Sequence, residues 1–475
     1  MISCPNSSAC KSCMELENHE YAIARLKMKQ CKLKRNINRS HSPFIRLIPP
    51  EIIAKISEFA NTDFTIIGSL PDALLLSSVC SDWRRTVAET PQLWSSIKID
   101  LPLSQNSDIA RSTLPRLATF IDEWLSRSGQ LPLNISLCYG RDEETPLDFL
   151  TLKKYRRIFK ILNQYSSRWR SLNISVPPTL LPFFQPDSLP LLEQLHITYN
   201  PEAYYLIAFP PTPCLNTVKI QPFTNPEFLI SPEIGIQWHT VTHVSLESIT
   251  SRDFFALLRQ NPQLVHCTFH KVVDKIEDYL HEPPIFCQLT YLSLHHQSDH
   301  PYRVLNILNL PSLETLVLFN VTIDPVIALI ERSACSLHTL SLMNWQIRKT
   351  DKLIPLLEFL SPSLKRLAIS RLPSPMRGTR NYLSLLIQIY TSQSEVVEND
   401  FLPHLEIFEY REESPSTLES SMLFNLPSRN YPKPNTPISL RSAYISRVSI
   451  INKYIPRDIS PILQRLREDG ILTFT

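Results

Sequence analysis

Through the middle of the chain one short pattern keeps returning. An apolar residue is followed by two variable positions, an apolar residue, one variable position and a third apolar residue. It occurs as "WRSLNI" at Trp169, "LEQLHI" at Leu192, "LNTVKI" at Leu215, "VTHVSL" at Val241, "LVHCTF" at Leu264, "LTYLSL" at Leu289, "LETLVL" at Leu313, "LHTLSL" at Leu337, "LKRLAI" at Leu364 and "LEIFEY" at Leu405. The first eight intervals between these blocks are 23 to 27 residues and the last is 41. The alternation that ends each block is the period of a half-buried strand, with apolar residues on one face and the residues between them on the other. Helical spacing follows in "SRDFFALLRQNP", "DPVIALIERSA", "TDKLIPLLEFLSPS" and "NYLSLLIQIYTSQ", with Asp324 and Pro325 as an N-cap and first-turn pair. Upstream, helices are predicted over Leu114–Ser128 and Tyr155–Tyr165, leading into the alternating runs "LPLNISL" and "WRSLNISV".

No single unit of this kind can bury its apolar face, so units are stable only as a stack. The pattern and its spacing resemble the leucine-rich repeat family over residues 169–411. That resemblance implies an α/β fold: an irregular solenoid with a curved parallel sheet and helices on the convex side. The family's Asn two residues past the motif stands at Asn320 and Asn344 and is mostly missing elsewhere, which argues for irregular repeats. Residues 412–437, rich in Ser, Pro and Asn, are expected to be a linker, and residues 438–475 a cap of one strand and a short helix.

Composition narrows the function. Six glycines stand beside forty prolines in 475 residues, and no G-x-G-x-x-G, G-x-x-x-x-G-K or G-x-S-x-G occurs. Loops that cradle phosphates need glycine for close backbone approach, so the common nucleotide-dependent and hydrolase folds are disfavoured. No enzyme activity and no cofactor are expected. The N-terminus lacks the charged-then-apolar order of a secretory signal and no segment is apolar enough to span a bilayer. The expected location is cytoplasmic or nuclear, with the ten cysteines as thiols. Residues 1–45 form a basic arm with eight Lys/Arg against three Asp/Glu, whereas the rest is nearly neutral. No nucleic-acid or membrane partner follows from that balance. Within the arm, Leu16, Ile23, Leu26, Leu33 and Ile37 share one heptad frame interrupted by His19 and Gln30, which fits either a short coiled coil or a helix packed on its own protein.

Residues 46–99 hold two short helical patterns. Ile48, Ile52, Ile56 and Phe59 share one face. Leu76, Val79, Cys80, Trp83 and Val87 share another before Pro91 ends the helix. Fifty residues rarely hide so many large apolar groups, so some should be covered by another chain or domain. The phrases "IPPEII", "LLLSSVCSDWRR" and "TPQLWSSI" resemble the F-box, in the version found in the large F-box-like families of mushroom-forming fungi. Residues 46–99 would then be an all-α F-box bundle, and residues 100–168 a junction of helices and a first strand.

That resemblance implies a substrate-receptor subunit of a Skp-cullin-F-box ubiquitin ligase, which marks proteins for ubiquitin-dependent degradation and carries no catalytic group itself. The contacts to the Skp adaptor would be Ile48, Pro49, Glu51, Ile52, Ile56, Leu75, Val79, Cys80 and Trp83. Pro91 and Trp94 would pack the F-box on the next domain. The alternative, of another class, is a repeat-based interaction scaffold with no ligase role.

The repeats would take an unknown protein substrate on the strand face opposite the core. On that face His243, His266, His270 and His295 collect in three successive repeats beside Tyr291 and Phe319, continued by Met343. Exposed aromatic residues with adaptable polar neighbours are typical binding anchors. Zinc on His243, His266, His270 and Glu247 is not expected, because a flat strand face offers neither tetrahedral closure nor a supporting shell. Cys4, Cys10, Cys13 and Cys31 likewise form no paired C-x-x-C set.

Overall fold

The computed structural model of the chain describes residues 11–41, 49, 51–52, 54–56, 72–79, 81–101, 107–139, 149–199, 209–222, 236–273, 283–296, 303–319, 323–343, 353–371, 402–412, 442–445 and 472–474. The chain divides into two compact units, Met1–Trp169 and Arg170–Thr475.

The first unit opens with a long helix α1 (Lys11–His41). Residues 51–52 and 54–56 are helical, and the Ile52 N–H donates to the Pro49 carbonyl at 3.0 Å, closing the first turn. Two eight-residue helices, α2 (Asp72–Val79) and α3 (Ser81–Ala88), follow, and a 3-10 turn spans Pro91–Trp94. Strand β1 (Ser96–Leu101), helix α4 (Ser107–Arg127) and strand β2 (Leu133–Tyr139) then make a strand–helix–strand unit. The two strands pair in parallel, with Ile97 against Ile135 and Ile99 against Leu137. Helix α5 (Phe149–Gln164) packs with α4. Both α4 and α5 start earlier than the sequence pattern indicates. Pro115 lies inside α4, and the Thr119 hydroxyl donates to its carbonyl at 3.3 Å.

The second unit is organised by a sheet in which the pairings of the described strands are all parallel. Its strands are β3 (Trp169–Ser175), β4 (Gln194–Tyr199), β5 (Thr217–Pro222), β6 (His243–Leu246), the two-residue β7 (Ile249–Thr250), β8 (His266–Val273), β10 (Tyr291–His296), β12 (Thr315–Phe319), β13 (Thr339–Met343), β14 (Arg366–Arg371), β15 (Ile407–Glu412), β16 (Ser442–Ile445) and β17 (Leu472–Phe474). They run β3-β4-β5-β6-β8-β10-β12-β13-β14-β15-β16-β17, with β7 pairing β8. The repeat blocks fall in register: Leu292 of β10 lies between Cys267 of β8 and Leu316 of β12, and Leu316 faces Leu340 of β13. Every described apolar position of the ten blocks is buried, from Trp169 to Phe408.

Helices α6 (Ser251–Gln260), α7 (Ile323–Ser333) and α8 (Leu353–Leu360) fill three connectors, each where helical spacing predicts one. Thr250 caps α6, accepting the Asp253 N–H at 3.2 Å and donating its hydroxyl to Asp253 at 2.7 Å. Phe254 of α6 meets Phe269 of β8 edge-to-face at 5.0 Å, which fixes the helix on the buried side of the sheet. Two buried main-chain N–H groups are satisfied by serines one connector away: Leu310 by Ser333 Oγ at 2.9 Å, and Leu402 by Ser361 Oγ at 2.8 Å.

In the second unit Asp324, expected as the N-cap of α7, lies inside its first turn, and two features of the sheets also depart from expectation. Strands β9 (Ile285–Phe286) and β11 (Leu308–Asn309) form a second, two-stranded parallel sheet among the connectors. At the C-terminus the sheet is extended by two strands, β16 and β17, where one was expected. The expected helix over "NYLSLLIQIYTSQ", the terminal short helix and residues 413–437 of the linker lie outside the described residues, as do Asn320, Asn344, Cys4 and Cys10.

Candidate functional site

The parallel register turns the repeat spacing into two rows of rings on the sheet face opposite the core. In the first row His243 pairs with His266 and His266 with Tyr291. Their rings stack, His243 on His266 at 5.5 Å and His266 on Tyr291 at 3.8 Å with 7° between planes. In the second row His270 meets His295 edge-on at 4.8 Å, and His295 stacks on Phe319 at 3.4 Å and 22°. Met343 lies next in register beyond Phe319. Between the rows run the hydroxyl residues Ser245, Thr268, Ser293 and Ser341, with Val317 among them. All seven residues expected to form the patch therefore share one face of five adjacent strands. His243 is exposed and the other six are half-buried.

The rows are electrically quiet. Burial holds the His266 imidazole down to about 4, helped by the neighbouring His243. Burial likewise holds His270 to about 4, with Lys219 adding to the effect, and His295 to about 3, with His270 adding. At neutral pH these three rings carry no charge, so the surface presents aromatic faces and hydroxyls rather than cations. Polar and charged residues in the same register border the rows. His196 bonds Gln221 at 3.2 Å, and burial together with Lys219 lowers its pKa. Burial raises the Glu247 carboxyl, partly opposed by Lys219. Farther along, the Arg366 guanidinium donates to Glu409. Among the described residues no three His, Cys, Asp or Glu are grouped so as to hold a metal. His243 and His266 lie face to face rather than converging on a point.

The second candidate surface belongs to the first unit. Pro49, Glu51, Ile52 and Ile56 are exposed, as are Leu75 and Val79, which are one turn apart on α2. Ile48 and Cys80 lie outside the described residues. Trp83, expected among the docking contacts, is buried at 6% exposure and Val87 is fully buried, whereas Val79 is 55% exposed. The single face predicted from Leu76 to Val87 therefore divides: α3 turns its large residues inward and α2 leaves Leu75 and Val79 in water. Inward, Trp94 donates its indole N–H to the Val87 carbonyl at 2.8 Å, meets Trp124 edge-to-face at 4.6 Å and lies 4.7 Å beneath the Arg127 guanidinium. The short helices are thus tied to α4 through one tryptophan.

Among described residues no helix is long and apolar enough to cross a membrane. The chain matches no known protein-family model and no curated protein.

Proposed function

We propose that the chain is a non-catalytic receptor that docks an adaptor through its first unit and captures a protein substrate on its sheet face. The adaptor is the Skp subunit of a cullin-RING ubiquitin ligase, and the role is that of its F-box substrate receptor. The observation that carries this reading is the exposure of Ile52, Ile56, Leu75 and Val79 on short helices beside an inward-facing Trp83. Large aliphatic groups left in water on a small helical unit mark a surface that a partner covers. The phrases "IPPEII", "LLLSSVCSDWRR" and "TPQLWSSI" supply the identity of that partner by resemblance. Ubiquitin transfer would then work by proximity, with the receptor raising the effective concentration of a substrate lysine near the charged conjugating enzyme.

The test is capture of purified Skp adaptor by the full chain. Val79→Glu and Leu75→Glu change exposed positions, so they should abolish capture without unfolding the chain. A wild-type chain that fails to retain the adaptor, or variants that retain it equally, would refute the docking assignment. In the first case the repeat scaffold with no ligase role becomes the better account.

A further inference from the structure

Every described side chain of α1 is exposed, including Leu16, Ile23, Leu26 and Leu33 at 51 to 64%. A helix of 31 residues spans about 46 Å, and a lone helix that shows an aliphatic stripe to water has little to hold it. In heptad terms Leu16, Ile23 and Gln30 are a positions and His19, Leu26 and Leu33 are d positions.

We infer that α1 is a self-association seam that joins two copies of this chain as an antiparallel coiled coil. The polar interruptions decide the orientation and register. Run antiparallel with Ile23 opposite Leu26 of the second copy, the helices stack Leu16 on Leu33, His19 on Gln30 and Ile23 on Leu26, each layer occurring twice about a two-fold axis. Both polar residues then face each other, so the imidazole and the carboxamide can bond across the seam. A polar layer of this kind specifies register at some cost in stability. Sliding the pair by one heptad either way sets His19 against Ile23 or Ile37 and leaves it without a polar partner across the seam.

The charges agree. In the antiparallel pair the flanking e positions bring Glu20 beside Lys27 of the second copy, twice. In a parallel, in-register pair the g-to-e contacts set Glu15 against Glu20 and Lys29 against Lys34, each twice, and like charges at those positions repel.

Sedimentation velocity on the full chain over about 1 to 100 µM tests this, since a three-heptad seam should dimerise within that range. The wild-type mass should climb toward two copies, and Leu26→Asp should stay monomeric. Glu20→Lys should weaken the dimer about tenfold, because two attractive pairs become repulsive, and adding Lys27→Glu should restore it to within about threefold. A parallel seam gives the opposite response, since Glu20→Lys would then relieve repulsion with Glu15 and tighten the dimer. That result overturns the proposal, as does a wild-type chain monomeric throughout, or a dimer indifferent to Leu26→Asp. The charge-swapped double variant keeps the test decisive if Leu26→Asp melts the helix.

Discussion

Acidification should strain the ring rows in a way that three substitutions remove. His266, His270 and His295 titrate in the folded chain near 4, 4 and 3, against 6.5 for a histidine in water. The folded values are lowered, so between pH 6.5 and about 4 the unfolded chain binds more protons than the folded one. Stability is therefore complete above pH 6.5 and falls as pH drops through that window. Each unit of lag is worth about 1.4 kcal/mol per histidine, or about 2 kcal/mol each at pH 5. The rings are half-buried, and solvent screening halves this to about 1 kcal/mol each and about 3 kcal/mol for the three. The folded-to-unfolded ratio then changes roughly a hundredfold. The assay is urea unfolding at pH 7.5 and pH 5, for the wild type and for the triple variant His266→Gln, His270→Gln, His295→Gln, whose amides do not titrate. The wild type should lose about 3 kcal/mol more than the variant on acidification. Equal losses would refute the account of the rows as desolvated neutral rings.

Trp94→Phe keeps most of the ring but removes the 2.8 Å indole donor and leaves the Val87 carbonyl to the Thr90 N–H at 3.3 Å, so it should cost about 0.5 to 1.5 kcal/mol, against about 3 to 5 for Trp94→Ala, read from thermal unfolding. Ser333→Ala strands the buried Leu310 N–H and should cost about 1 to 3 kcal/mol, with faster amide exchange at Leu310 as the local signature.

Much of the second unit was legible because its code is redundant. Ten blocks each place apolar residues at the same three positions, and the described ones are buried without exception, so one misread block would not have hidden the period. The ring rows were legible for the same reason, since a fixed repeat makes a list of residues into a column on a sheet. The stacking of His266 on Tyr291 and His295 on Phe319 was not, because ring orientation depends on local side-chain packing rather than spacing. Strands β9 and β11 were missed since two residues carry no period at all. The divided face of α2 and α3 had a different cause: helical spacing shows which residues align along a helix, but not which side its neighbours cover.

The last connector shows what this sheet measures. Block starts 41 residues apart, instead of 23 to 27, leave the strand handover unchanged: the Glu406 N–H reaches the Lys365 carbonyl at 2.8 Å, as the His338 N–H reaches Glu314 at 2.8 Å. Connector length is therefore decoupled from strand pairing. Closing a longer loop adds only about 0.6 kcal/mol per doubling, far less than a buried block contributes. The spacing between blocks is in that sense free to grow, because new sequence added between two strands need not disturb the pairing that joins them.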